Sequence, residues 1–249
     1  MKGVSKDMIA SAIDKILSIA QPVIARSTTS NRAYSTQKLY PIDEELRAEP
    51  LQVRNLSSIV KYAKDFKESW KEIPLLVHVV SPLQVVLTTA LDSDRMREDL
   101  MVANADIPSI PFGSFMENDR MLIIVQSMFV DDKDTDKAIV LKFAGTVTSG
   151  SVKAYDDDGV TQKATIKQGV ASKAEAIVPS PCSLRPYRTF TEVEQPKSMF
   201  IFRMREGRGD GVESALYEAD GGAWKNEAMN NIRKYLEKEL EGTDITVIS

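Results

Sequence analysis

A chain of 249 residues with 32 basic and 36 acidic side chains has a net charge of −4, so it has no global positive field to gather duplex nucleic acid. Its hydrophobic content of 43% and charged content of 27% are those of an ordinary globular protein that can bury a core without staples. One cysteine, Cys182, and one histidine, His78, exclude an intrachain disulfide, a cysteine-built structural zinc site and a tandem-histidine metal motif.

Residues 5–21 carry a helical stripe, with Met8, Ile9, Ile13, Ile16, Leu17 and Ala20 on one face and Pro22 after it. Asp7 and Asp14 interrupt the apolar stretch, which is therefore no signal-peptide core, and no window has the length of a membrane span. The expectation is a soluble protein of a reducing cytoplasm with no membrane association. From Arg26 to Pro50 periodicity is lost, through RSTTSNRAYSTQ and the acidic Asp43, Glu44 and Glu45. This stretch reads as a linker arm, giving a division into an N-terminal helix with arm (1–50) and one main domain (51–249).

In the main domain, Asn55 can cap a helix whose apolar positions Leu56, Ile59, Val60, Ala63, Phe66 and Trp70 follow the helical period. Leu75 to Val80 and Leu83 to Thr89, separated by Ser81-Pro82, predict a hairpin or bulged strand. Asp92 or Ser93 is a cap for a charged helix containing Arg95, Met96, Arg97 and Leu100. Met121 to Val130 is almost continuously apolar and Ala138 to Val147 alternates at Ile139, Leu141 and Phe143, so the pair predicts an antiparallel β-hairpin across Asp131–Asp136. Val152 to Tyr155 and Val160 to Gln168, joined by Asp156–Gly159, predict another, with Thr161, Lys163, Thr165 and Lys167 on a solvated face. Met199 to Arg205 reads as a strand with Phe200, Phe202 and Met204 on one side and Ile201, Arg203 and Arg205 on the other. A final helix starts near Ala223, is striped by Ala228, Ile232, Tyr235, Leu236 and Leu240, and stops at Gly242. Strands in the middle with helices outside predict an α+β fold: a central, mostly antiparallel sheet, flanking helices, and the N-terminal helix on its extended arm.

The catalytic inventory is thin. His78 lies in LLVHVV, where apolar neighbours predict a buried imidazole, and Cys182 between Pro181 and Ser183 has only Arg185 nearby to activate a thiol. Counted from Asp132, carboxylates fall at calcium-loop positions one, three and five, but Lys137 and Phe143 replace the required Gly and Glu. This acidic run and Asp156–Gly159 read as polar turns, and no metal or cofactor is expected. Gly207, Gly209 and Gly211 lack dinucleotide spacing, and no phosphate-loop lysine follows. Asp220-Gly221-Gly222 can cap the last helix or leave amides for an anion.

Leu184 to Arg205 concentrates four arginines, four aromatics and two prolines. Arg185, Tyr187, Arg188, Arg203 and Arg205, with Trp224, form the candidate binding group, to which Arg208 and Phe190 are close in sequence. Arginine beside aromatics can pair internally with carboxylates such as Glu192, Glu194 and Glu206, anchor a protein interface, or hold phosphate and stack bases. The residues favour these in that order.

RNLSSIV (54–60), HVVSP (78–82), DDGVTQ (157–162), LRPYRTFTEVEQPKSMFIFR (184–203) and YEADGGAWK (217–225) together resemble the YfdQ-like family of phage and prophage proteins, a domain of unknown function. The resemblance covers roughly 51–240 and implies a viral or prophage gene expressed in a bacterium, with no catalytic assignment to carry over. The functional expectation is a non-enzymatic accessory protein of the host cytoplasm: a self-associating, homo-oligomeric module acting on host or viral macromolecules, with nucleic acid disfavoured by net charge. A virion or assembly protein is the alternative. A metal-dependent phosphoryl-transfer or nuclease enzyme built on Asp136 and Asp156 is a second.

Overall fold

The computed structural model describes residues 6–26, 33–36, 48–65, 73–92, 95–147, 152–157, 162–168, 172–177, 179–207 and 211–249. The chain divides into two units, Met1–Arg47 and Ala48–Ser249. In the first, the expected helix is α1 (Lys6–Ala20). The stretch read as a featureless arm contributes to a small antiparallel ladder, β1 (Ile24–Arg26) with β2 (Ala33–Ser35). Thr36 closes it by exchanging hydrogen bonds with the Val23 backbone, at 3.0 and 3.1 Å.

The second unit runs β3 (Leu51–Val53), α2 (Leu56–Asp65), β4 (Leu75–Ser81), β5 (Gln84–Thr89), β6 (Asp99–Asn104), β7 (Met116–Glu117), α3 (Asn118–Met128) and α4 (Lys137–Thr146). It continues with β8 (Val152–Asp157), β9 (Gln162–Gln168), β10 (Ser172–Ile177), β11 (Cys182–Leu184), β12 (Ser198–Glu206), β13 (Val212–Glu218), α5 (Trp224–Glu239) and β14 (Thr246–Ile248). The class is α+β, as the element order predicts. Its strands form separate sheets rather than one: β14-β4-β5-β6-β3, β11-β12-β13-β7 and β10-β9-β8. Only β14–β4 and β3–β6 are parallel among the described pairs.

The five-stranded sheet is the better predicted half. Asn55 Oδ1 accepts from the Ser58 amide at 3.0 Å, capping α2 as its position suggests. Phe66 and Trp70, the last predicted positions of that helix, lie outside the described residues. β4 and β5 form the expected hairpin, with a register shift between Val79 and Ser81. Leu75, Val77 and Val79 of β4 pack with Leu56, Ile59 and Val60 of α2 and Ile232 and Leu236 of α5 in one core. His78 is on the other face and exposed, so the expectation of a buried imidazole is corrected: only alternate positions of LLVHVV are covered. The helix predicted around Arg95–Leu100 is also absent. Arg95 adopts φ 61°, which a helix interior does not tolerate, and β6 begins at Asp99. Asp92 therefore caps no helix, its Oδ1 accepting instead from the Met96 amide at 2.7 Å; Ser93 lies outside the described residues.

The largest revision concerns 118–147, where the predicted β-hairpin is a pair of helices. Met121, Ile124 and Val125 of α3 are buried while Ile123 is 63% exposed; Val140 and Ala144 of α4 are buried while Ile139 is 57% exposed. That is a three-to-four-residue period hidden inside nearly continuous apolar sequence, where a short run does not distinguish strand from helix. Polar side chains tie the two helices at both ends. Asn118, buried at the start of α3, donates to the Ala144 and Val147 carbonyls at 2.7 and 3.2 Å and accepts from Ser214 Oγ at 2.7 Å. Lys137, buried at the start of α4, donates to the Phe129 and Gln126 carbonyls at 2.7 and 3.3 Å. Each helix thus satisfies orphan carbonyls at the other's C-terminal end, and the lysine adds the favoured charge there.

These helices pack on β11–β13 through Phe129, Leu184, Phe200, Phe202, Met204 and Leu216, a second core distinct from the first. Phe200, Phe202 and Met204 point inward as their alternation predicts. β8 and β9 form the second expected hairpin, extended by β10, which the sequence did not reveal; Thr161 and the 158–161 turn lie outside the described residues. Gln162 of β9 is buried and exchanges two hydrogen bonds with the Met204 backbone, at 2.8 and 2.9 Å.

Asn118→Ala is expected to lower the free energy of urea unfolding by about 1–3 kcal/mol, because it removes the side-chain donor to the Val147 carbonyl and the acceptor of the buried Ser214 hydroxyl. An unchanged denaturation midpoint would show that the clasp carries no stability.

Candidate functional site

The arginine–aromatic segment starts as an irregular run between β11 and β12 and is fixed first through its backbone. Gln195 is buried and its Oε1 accepts from the Arg188 and Thr189 amides at 3.0 and 3.2 Å, while Nε2 donates to the Phe190 carbonyl at 2.9 Å. One side chain therefore supplies hydrogen bonds that a loop of this shape cannot make to itself. Thr189 Oγ1 donates to the Pro82 carbonyl at 2.5 Å, joining this run to the β4–β5 connection.

Within that frame Arg188 is the most enclosed charge, its side chain only 5% exposed. Its Nη1 lies 2.8 Å from Glu218 Oε1 at the end of β13, and its Nη2 donates to Ser198 Oγ and sits 3.7 Å from Asp220 Oδ2. Ser198 passes the contact on, donating to Asp220 Oδ2 at 2.5 Å. The guanidinium is stacked 4.2 Å from the Trp224 ring centroid and lies 5.8 Å from that of Phe200. Burial lowers the guanidinium pKa, opposed by Asp220 and Glu218. Burial alone would raise the Asp220 carboxyl, but the Ser198 hydroxyl, the Gly222 amide and Arg188 outweigh it and hold the group below its ordinary value.

Asp220 also resolves the question posed by Gly221-Gly222. Its Oδ1 accepts from the Gly222 amide at 3.0 Å, so a carboxylate of the chain itself occupies the entrance to α5. Gly221 and Gly222 have φ of 63° and 82°, values that favour glycine.

The other candidates have separate partners. Arg185 bridges Asp132 at 3.0 Å and Glu194 at 3.1 Å. Tyr187 is half-buried and its amide donates to the Met128 carbonyl at 3.0 Å. Arg203 is half-buried and donates to Ser180 Oγ at 3.4 Å. Arg205 pairs with Glu213 at 2.8 Å and lies over Phe115, 4.1 Å from its centroid. Arg208 lies outside the described residues. Of the predicted group, the structure therefore brings Arg188 and Trp224 into direct contact and ties Arg185 and Arg205 to carboxylates of the chain. Glu194 pairs as the sequence suggested. Glu192 instead caps α2, accepting from the Leu56 and Ser57 amides at 2.8 and 3.1 Å. Ser198, Glu218 and Gln195 were not legible as site residues, since nothing in their spacing marks contacts made across strands.

Cys182 and the acidic run have structural partners, and the Asp156 side chain lies outside the described residues. Cys182 is buried, and burial with the nearby Asp136 charge pushes its thiol up to about 12, the opposite of an activated nucleophile. In the acidic run Asp132 accepts from the Asp134 amide at 2.9 Å and holds Arg185, while Asp136 accepts from the Ser183 amide at 2.7 Å. These carboxylates act as turn and strand ties. Among the described residues no group of three His, Cys, Asp or Glu side chains is placed to hold a metal ion. No helix is long and apolar enough to cross a membrane, again among the described residues. Comparison of the chain with protein-family models, curated proteins and solved structures finds no match.

Arg188→Ala is expected to destabilise the fold by about 3–5 kcal/mol in chemical denaturation, since it strands the part-buried Asp220 carboxylate and the buried Ser198 hydroxyl, and Arg188→Lys should recover little because it lacks the planar fork. A loss below about 1 kcal/mol, the range of an exposed ion pair, would refute the structural role. Asp220 also predicts a pH dependence. With its native pKa below the unfolded value, the ionised group stabilises the fold above the unfolded value, and this contribution is lost as pH falls through the native one. The stability gap between wild type and Asp220→Asn should therefore narrow on acidification from about pH 6 to about pH 2; a constant gap would contradict the assignment.

Proposed function

We propose that this chain is a phage- or prophage-encoded accessory protein of the host bacterial cytoplasm that works by binding rather than by turnover, as a self-associating module engaging a host or viral protein. The viral origin rests on the resemblance of 184–203 and its companion segments to YfdQ-like proteins. The reading as a binding module is supported by the five-stranded sheet. Its helices, α2 and α5, share a core with one face only. Across the other face runs a row set by strand register, Ile248–His78–Val86–Val102–Gln52. His78, Gln52 and Ile248 are exposed, and Val86 and Val102 half-buried.

Beside this row lie Val80, 42% exposed, and an amide ladder in which Gln84 Nε2 donates to Asn104 Oδ1 at 3.1 Å and Asn104 Nδ2 donates to Gln52 Oε1 at 3.3 Å. An apolar strip edged by amides suits a protein surface better than a polyanion, which calls for clustered Lys and Arg. The internal pairing of Arg185, Arg188 and Arg205 supports the same choice.

The test is capture from infected or prophage-induced lysate by wild type and by Val80→Lys/Ile248→Lys, with thermal unfolding and the 260/280 nm absorbance ratio recorded for both. A protein retained by wild type and lost by an equally stable variant is the expected result. Equal capture by both, or retention of nucleic acid alone, would overturn the reading.

A further inference from the structure

We infer that α1 assembles three or more copies of this chain into a parallel helical bundle, a deepening that rests on the self-association proposed above. The argument begins with exposure. Ile9, Ile13, Ile16, Leu17 and Ile19 are 48%, 51%, 65%, 57% and 71% exposed, and no described residue of the first unit buries them. A 15-residue helix is about 22 Å long, only some four turns, and helices of that length are marginal in water unless an apolar face is covered.

The spacing identifies what covers it. Ile9, Ile13, Ile16 and Ala20 are separated by four, three and four residues, the alternation of heptad core positions d, a, d and a. In this register Ala10 and Leu17 fall at e, and Ala12 and Ile19 at g. Ser11 and Ser18 fall at f, opposite the seam, and Asp7, Asp14 and Lys15 fall at b or c. A heterotypic coiled coil is specified by complementary charges at e and g, and this helix has none there. Apart from Lys6, at the a position of the first turn, it carries no charge on the seam to select a foreign helix or to repel an identical one.

The number of copies follows from the width of the stripe. A two-helix seam buries mainly a and d, which would leave Leu17 and Ile19 in water, whereas three or more helices enclose e and g as well. Isoleucine at both a and d also shifts preference from dimers to trimers and tetramers. Parallel alignment stacks Ile9, Ile13 and Ile16 each on its own kind and gathers the small Ala20 residues in one layer. Antiparallel alignment would oppose Ile9 with Ala20 at both ends. A lipid surface fits less well, since interfacial helices carry an excess of Lys and Arg on the polar face, and here Lys15 is outnumbered there by Asp7 and Asp14.

The experiment is multi-angle light scattering of the full chain, whose protomer is 27.7 kDa, for wild type, Ile13→Asp/Ile16→Asp and the outer-face control Ser11→Lys. Expected are a three- or fourfold protomer mass for wild type and Ser11→Lys, and collapse to a single protomer for the double variant with the main thermal transition unmoved. A wild-type dimer, or a larger oligomer that survives the double substitution, overturns the bundle while leaving self-association standing. A monomeric wild type overturns both. Polarity is read with Ile9→Cys: mild oxidation should link protomers through position 9, and an oligomer that does not cross-link overturns the parallel arrangement.

Discussion

Removing a guanidinium from water costs several kcal/mol unless its charge is answered locally, and the way Glu218, Asp220 and Ser198 do this at the two Nη groups of Arg188, with Nε left buried and unpartnered, sets much of the main unit. Glu218 lies at the end of β13, Ser198 opens β12, and Asp220 and Trp224 belong to the entry of α5. A single side chain therefore fixes the direction in which the chain leaves the four-stranded sheet and starts its last helix. The two cores meet along the same segment. Phe190 belongs to the core beneath the five-stranded sheet, and Phe200, in reach of Arg188, belongs to the core beneath α3 and α4. Two hydrophobic clusters that do not merge are joined by a charged, hydrogen-bonded strut.

The same economy recurs wherever irregular backbone is enclosed. Gln195 holds the loop that carries Arg188, Glu192 closes the start of α2, and Asn118 and Lys137 close the ends of α3 and α4. Buried peptide groups must find partners, and here long polar side chains reach back to supply them. An amide is well suited because it donates and accepts in one plane, while the lysine serves where several carbonyls converge.

Local signals explain what was legible in the sequence. The stripe of α1, the Asn55 cap, the β4–β5 hairpin, the alternation around Phe200–Met204 and the Gly242 stop of α5 are all properties of neighbouring residues. At Gly242 φ is 80°, as a helix-ending glycine requires. The α3–α4 pair was misread because Met121–Val130 is apolar on most sides of either period, and only packing on β12 and β13 shows which of its residues are covered. β13 and β14 went unread for other reasons: Val212–Glu218 follows β12 directly but is mixed in composition, and Thr246–Ile248 is short with a partner, β4, remote in sequence. For the candidate site, composition drew attention to Arg188 and Trp224, which the structure places in contact. The carboxylates that answer Arg188 come from the far side of β13, where spacing gives no hint of them.

Gln162 has a consequence for how the folded chain behaves in a crowded solution. β11 begins at Cys182 opposite Phe200, whereas β12 continues to Glu206, so the stretch around Met204 is a strand flank that its short neighbour does not reach. Unpaired strand flanks are templates on which another chain can add by main-chain hydrogen bonding. The Gln162 amide takes the Met204 N–H and carbonyl together, imitating one residue of a missing strand with a side chain. It leaves that position nothing to offer an incoming peptide, and so guards the sheet against unplanned growth.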